Sequence, residues 1–162
     1  MSSADEPAPP GNFTIRTADM ADAADIALLL GQLGYPTGAS EASRRLKEVS
    51  ASDADEILLV QSGLEVTAVA SIHFMAYFHR GELLCKITAF VVKDGYRGQG
   101  IGSALLARIE QIARDRGCQR MELTSATGRR EAHAFYEGKG YHRAGYKFYK
   151  PLASRINRGN RE

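Results

Sequence analysis

At 162 residues the chain is long enough for one domain with a real core, and 44% hydrophobic against 25% charged residues are ordinary globular proportions. Lys+Arg 21 against Asp+Glu 19 is close to balance, so the charge does not point to nucleic acid as a partner, and no apolar run reaches membrane-spanning length. The two cysteines, Cys85 and Cys118, are too few for a disulfide framework and lack metal-ligand spacing, so they read as reduced thiols of a cytoplasmic protein, with no metal expected.

Met1 to Asn12 is acidic and proline-rich and lacks the apolar core of a signal peptide; it reads as a disordered leader. Phe13 to Thr17 alternates apolar and polar residues and predicts a first strand. Asp19 or Asp22 can cap the helix that follows, whose face is Ile26, Leu29, Leu30 and Leu33. Gly34 stops it, with Pro36 just beyond. Ser40 with Ser43 offers a second cap, before a short amphipathic helix marked by Leu46 and Val49. Glu56 to Gln61 and Val66 to Phe74 are β-rich runs around the turn Ser62-Gly63, and His79-Arg80-Gly81 separates them from Leu83 to Val92. Three consecutive antiparallel strands are therefore expected. His73 and His79 stand on or near them without metal-ligand spacing and read as solvated or core histidines.

The longest helical pattern runs from Ile101 to Arg116, with Ile101, Ala104, Leu105, Ile109, Ile112 and Ala113 on the 3.6-residue period and Gly117 at its end. Arg120 to Ser125 alternates again as a strand. Glu131 to Gly138 is a short helix with Ala132, Phe135 and Tyr136 on one face, and Gly140 closes it. Tyr141 to Lys150 is aromatic-rich and predicts one or two closing strands; Pro151 to Glu162 is polar and basic, a loose tail. The domain boundaries drawn from this pattern are a leader over 1–12, a folded domain over 13–152 and a tail over 153–162.

Between the strand ending at Val92 and the helix opening at Ile101 lies Arg97-Gly98-Gln99-Gly100-Ile101-Gly102-Ser103. Glycines permit close backbone approach, and the first N–H groups of the helix lack intrahelical acceptors at the positive end of its dipole. Such a junction suits a pyrophosphate. A P-loop needs a lysine after the glycines, and none follows. A dinucleotide fingerprint needs a third glycine where Ser103 stands, and it normally opens an early βαβ unit, whereas this loop lies past mid-chain.

The loop resembles the Arg/Gln-x-x-Gly-x-Gly/Ala motif of the GNAT superfamily of N-acetyltransferases, and Glu131 to Tyr141, Glu-Ala-His-Ala-Phe-Tyr-Glu-Gly-Lys-Gly-Tyr, is similar to that superfamily's second signature. The resemblance covers about residues 13 to 150. It implies an α/β (α+β) fold, the GNAT fold: a mainly antiparallel twisted sheet with a splayed parallel pair, flanked by helices. It further implies that acetyl-CoA is the cosubstrate. Its pantetheine arm would lie as a pseudo-strand on the backbone of Val91 and Val92. Its pyrophosphate would sit on Gly98, Gln99, Gly100, Ile101, Gly102 and Ser103, with Arg97 adding charge. Arg129, Arg130, Lys139 and Arg143 are candidates for the 3′-phosphate, and Tyr35 for a wall of the acceptor site.

The implied reaction is direct transfer of acetyl to a primary amine, with the Tyr136 phenol as general acid. Many relatives carry a Glu or Asp on the strand before the loop, where this chain has Thr88 and Ala89. Glu122 or Glu82 acting through a water, or an acceptor of low pKa, are alternatives, and no base is assigned. The expected acceptor is a small molecule, with no nucleic acid and no membrane as partner; a homodimer is compatible with such a domain. Two other readings stay open: an acyl-CoA-binding module without turnover, and a protein lysine or N-terminal acetyltransferase.

Overall fold

A computed structural model describes residues 11–153. The leader expected over 1–12 and the tail expected over 153–162 lie outside the described residues, except for Gly11, Asn12 and Ala153. The described residues form two compact units, divided between Leu123 and Thr124.

The first unit holds a five-stranded sheet in the order β1-β2-β3-β4-β5. Strand β1 (Phe13–Thr17) pairs antiparallel with β2 (Asp55–Ser62), β2 with β3 (Glu65–Tyr77), and β3 with β4 (Glu82–Val92). The two tight turns fall where the sequence puts glycine: Gly63 at φ 61° and Gly81 at φ 63° both require a left-handed backbone. β5 (Arg120–Leu123) lies parallel to β4 and is shorter than the run Arg120 to Ser125 that the alternation predicts.

Asp19 and Asp22 cap the entry to the first helix together. Asp19 accepts from the Ala21 N–H (2.8 Å) and Asp22 from the Asp19 N–H (2.8 Å), a reciprocal box around the 3-10 turn Met20–Asp22. Helix α1 (Ala23–Leu33) follows and ends at Gly34 with φ 104°, where the Gly34 and Tyr35 N–H groups bond the carbonyls of Gly31 and Leu30. Helix α2 (Ala39–Ser50) starts at Gly38 and not at Ser40. The Ala42 N–H already bonds the Gly38 carbonyl, which brings Ala42 onto the buried face with Leu46, one turn before the expected stripe. Ile26, Leu29, Ala42 and Leu46 pack on Leu59, Val69 and Val91, which share one face of the sheet. The opposite face receives α3 (Ile101–Asp115), which buries Ile101, Leu105, Leu106, Ile109 and Ala113; just past its end the Arg116 guanidinium lies 4.2 Å from the Phe74 ring.

The second unit carries α4 (Arg130–Gly138). The closing strands expected over Tyr141 to Lys150 do not form: no residue from Tyr141 to Lys150 is in a strand, and Tyr146, Phe148 and Tyr149 are exposed. Aromatic content favours a strand only when a ladder partner receives it. Gly145, at φ 67°, also breaks the run.

Candidate active site

β5 accompanies β4 only from Leu84 to Ile87, its last residue Leu123 standing opposite Ile87. From Thr88 to Val92, β4 has β3 on one side and, among the described residues, no strand on the other. The parting coincides with a β-bulge. Ser71 pairs with Ala89 but Ile72 with Ile87, so Thr88 is the extra residue, and its Oγ1 donates to the Ser71 carbonyl (3.1 Å). A bulge bends its strand and sharpens the local twist. The result is a free run of strand backbone that leads straight into the glycine loop.

That loop is held from below. The Lys93 N–H bonds the Thr67 carbonyl (2.8 Å), and the carboxylate of Glu65 accepts from both the Lys93 ammonium and the Tyr96 phenol. These bonds hold Glu65 below the usual carboxylate range and raise Lys93 and Tyr96 above theirs. Gln32 of α1 accepts from the Asp94 N–H (2.8 Å). Arg97 turns back on its own loop: its Nε reaches the Val92 carbonyl (3.3 Å) and its terminal nitrogen Asp94 (2.9 Å). Gly95, Gly98 and Gly100 have φ of 86°, 76° and 81°. The helical ladder begins with the Ala104 N–H on the Gly100 carbonyl (3.0 Å), so the N–H groups of Ile101, Gly102 and Ser103 precede it. Left-handed residues followed by a helix start turn successive N–H groups toward one point, which suits an anion. The Ile101 side chain is 3% exposed and belongs to the core, so the loop offers backbone there.

In the second unit Tyr136 lies on α4, its ring edge-on to Phe135 (5.2 Å between centroids) and Tyr141 (5.7 Å). Burial raises the phenol above its ordinary value, with Arg129 offsetting part of the effect, so it holds its proton at neutral pH. Arg143, a 3′-phosphate candidate, bonds the Glu137 carboxylate of the same unit.

A family model, the Acetyltransferase (GNAT) family, matches residues 28–141. The chain belongs to that family. It is 39% identical over 88 residues to an aminoalkylphosphonate N-acetyltransferase of Salmonella typhimurium, a match that covers 54% of this chain and 57% of that protein. It is 37% identical over 49 residues to a thialysine N-epsilon-acetyltransferase of Bos taurus, covering 30% of this chain and 29% of that one. The matches thus span little more than half of the first relative and under a third of the second. Among solved structures, a transcriptional regulator from Bacillus halodurans C-125 aligns with a TM-score of 0.76 at 28% identity, covering 85% of this chain and 99% of that one. The sheet is therefore a GNAT sheet, and the parting of β4 from β5 is the splay expected from the motifs.

Set against that family frame, Val91, Val92 and the residues from Arg97 to Ser103 come together at the end of β4, while Tyr136 belongs to the second unit. Tyr35, the candidate acceptor wall, is exposed just past α1, its carbonyl accepting from the Thr37 hydroxyl (2.7 Å). The two carboxylates considered as bases are both engaged. Glu122 accepts from the Tyr77 phenol (2.7 Å), and Glu82 faces Arg120 at 3.5 Å. One group escaped the sequence reading. Asp55, His73, Lys86 and Glu122 are successive cross-strand partners and form one row over β2, β3, β4 and β5. His73 Nδ1 lies 2.8 Å from Asp55 Oδ1. Spacing along one chain hides such a row, because its members are 18, 13 and 36 residues apart. The signal that could have found it is alternation: Asp55, with Ile57 and Leu59, occupies one face of β2, so its polar end had to meet polar residues on β3. Among the described residues no helix is long and apolar enough to cross a membrane.

Proposed function

We propose that the chain is an acetyl-CoA-dependent N-acetyltransferase that acts on a primary amine of a small molecule, and that residues 13–152 work as one catalytic domain. The observation that carries this reading is the unaccompanied stretch Thr88–Val92 running into the left-handed glycine loop at the start of α3. Backbone N–H groups from Gly98 to Ser103 suit the two phosphates, and the strand backbone at Val91 and Val92 suits the amides of a pantetheine arm. Acetyl-CoA supplies the activated acetyl group as a thioester. Arg97 adds positive charge and fastens the loop to Val92 and Asp94. Tyr136, protonated at neutral pH, is the donor to the departing thiolate.

The relatives named for aminoalkylphosphonate and thialysine favour a compact amine as acceptor. The free thiols Cys85 and Cys118 fit a reducing compartment, which favours the cytoplasm. Acyl-CoA binding without turnover is the second reading. The missing carboxylate at Thr88 and Ala89 favours it, and so does the structural neighbour named as a transcriptional regulator.

The deciding experiment is thiol release from acetyl-CoA against a panel of aminoalkylphosphonates, polyamines, amino acids, aminoglycosides and lysine peptides. Turnover with one of the small amines is expected. Release with peptides alone would move the function to protein acetylation. Saturable CoA binding without release from any acceptor would leave the module reading.

A further inference from the structure

The reaction proposed above lacks one group, a base for the acceptor amine. At neutral pH an unhindered aliphatic amine is an ammonium ion and has no lone pair to give. Some group within reach of that amine must take its proton.

The row Asp55–His73–Lys86–Glu122 stands where β4 and β5 part. Lys86 faces Glu122 one residue before the last β4–β5 pair, and the next residues along β4 are the bulge at Thr88 and its unaccompanied edge. The row shares its sheet face with Val69 and Val91, but Val69 and Val91 lie under α1 and α2, whereas the His73 side chain keeps 37% of its surface exposed. Within the row Asp55 is the orienting group. Burial works to raise it, and hydrogen bonds from Ser52 and His73 outweigh that and hold it below the usual carboxylate range, so it is ionised at neutral pH. An ionised carboxylate only accepts, so the proton in the 2.8 Å contact sits on His73 Nδ1. In neutral imidazole that leaves Nε2 with its lone pair. Among the described residues Nε2 has no hydrogen-bond partner.

We propose that His73, oriented by Asp55, is the general base for the acceptor amine. This assignment rests on the acetyltransferase reading and supplies the group that reading lacks. His73 Nε2 takes one proton from the ammonium, and the imidazolium formed is balanced by Asp55. The freed nitrogen lone pair forms the N–C bond to the thioester carbonyl carbon, the C–S bond breaks, and its electron pair leaves on sulfur. The thiolate takes a proton from the Tyr136 phenol. The second proton on the new amide nitrogen passes through water to restore that phenol, and His73 releases its own proton to solvent. The balance is one ammonium and one thioester giving one amide, one thiol and one proton. The charged groups that face His73 are Asp55 from β2 and Lys86 from β4; beyond Lys86 stands Glu122 from β5, held by Tyr77 of His73's own strand.

The test is the pH dependence of kcat/KM in wild type, His73→Asn and Asp55→Asn, with two primary amines of different basicity drawn from the wild type's own acceptors. Wild type should show an acid limb that stays in place when the amine is changed, since that limb belongs to the enzyme. His73→Asn keeps an N–H for Asp55 but has no proton acceptor. It should lose that limb and fall ~10²–10⁴-fold in kcat/KM, with an unchanged thermal melt and CoA affinity. Asp55→Asn keeps the ring and should move the limb to lower pH. A wild-type limb in His73→Asn, or a limb that follows the basicity of the amine, overturns the assignment while leaving the acetyltransferase intact. Wild type that acetylates no amine removes the acetyltransferase reading itself, and the base with it.

Discussion

Arg16 on β1 and Asp22 at the head of α1 are joined by two hydrogen bonds of 2.8 and 2.7 Å, and the Asp22 side chain is only 8% exposed. The hydrogen bond from Arg16 holds the Asp22 carboxyl below its ordinary value against burial, with the Asp19 N–H assisting. A carboxylate depressed in the folded state stabilises above its unfolded pKa of 3.8, and that stability is lost as pH falls through the folded value. Asp22→Asn should therefore cost about 2 kcal/mol at pH 7, because it leaves a partly buried guanidinium without its counter-charge. The gap between mutant and wild type, read from urea melts, should close as pH drops below about 4; a gap constant from pH 7 to pH 3 would mean the pair contributes shape and no charge. Tyr136 calls for a different measurement. Tyr136→Phe deletes one oxygen and keeps the ring against Phe135 and Tyr141. If the phenol protonates the thiolate, kcat should fall ~10²–10⁴-fold while the melt barely moves. A wild-type kcat would return Tyr136 to packing.

At the scale of elements, what could be read in advance followed from patterns that a single segment carries within itself. Ile26 and Leu29 mark the α1 face, Gly34 supplies the left-handed stop, and Ile101, Leu105 and Ile109 mark α3; periodicity and one backbone conformation suffice for these. The glycine loop was legible for the same reason, as its chemistry is its backbone. What could not be read depended on a partner. α2 begins at Gly38 because Ala42 finds the core, a fact of packing that no cap signal at Ser40 reports. The aromatic run Tyr141 to Lys150 has strand propensity but no ladder in which to use it. The Asp55–His73 pair exists only because β2 and β3 meet in one register, with the shift between Val60 and Gln61 already absorbed. A histidine judged by its neighbours in sequence therefore looked like an ordinary strand residue.

For the molecule as a whole, the fold and the ligand meet in one measurable linkage. A ligand that binds only the folded state stabilises it by RT ln(1 + [L]/Kd), about 2.7 kcal/mol at a hundredfold excess over Kd. For a chain of 162 residues that corresponds to a rise in Tm of roughly 5–10 °C, so a saturating titration with CoA should show it directly. Gly100→Asp separates that linkage from the stability of the fold. Gly100 is the N-cap of α3 at φ 81°, where a side chain costs about 1–2 kcal/mol of backbone strain. Asp also lowers that cost, since it tolerates this region better than most residues and its negative charge favours the positive end of the helix. The unliganded mutant should consequently melt within a few degrees of wild type. The same carboxylate would lie among the N–H groups proposed for the pyrophosphate, where it would compete for them and repel the phosphates. The thermal shift with CoA should then vanish in Gly100→Asp while persisting in Arg97→Ala, because Arg97 supplements donors that belong to the backbone. A full shift in Gly100→Asp would take the pyrophosphate off this loop, and with it the reading of the α3 N-terminus as the cosubstrate site.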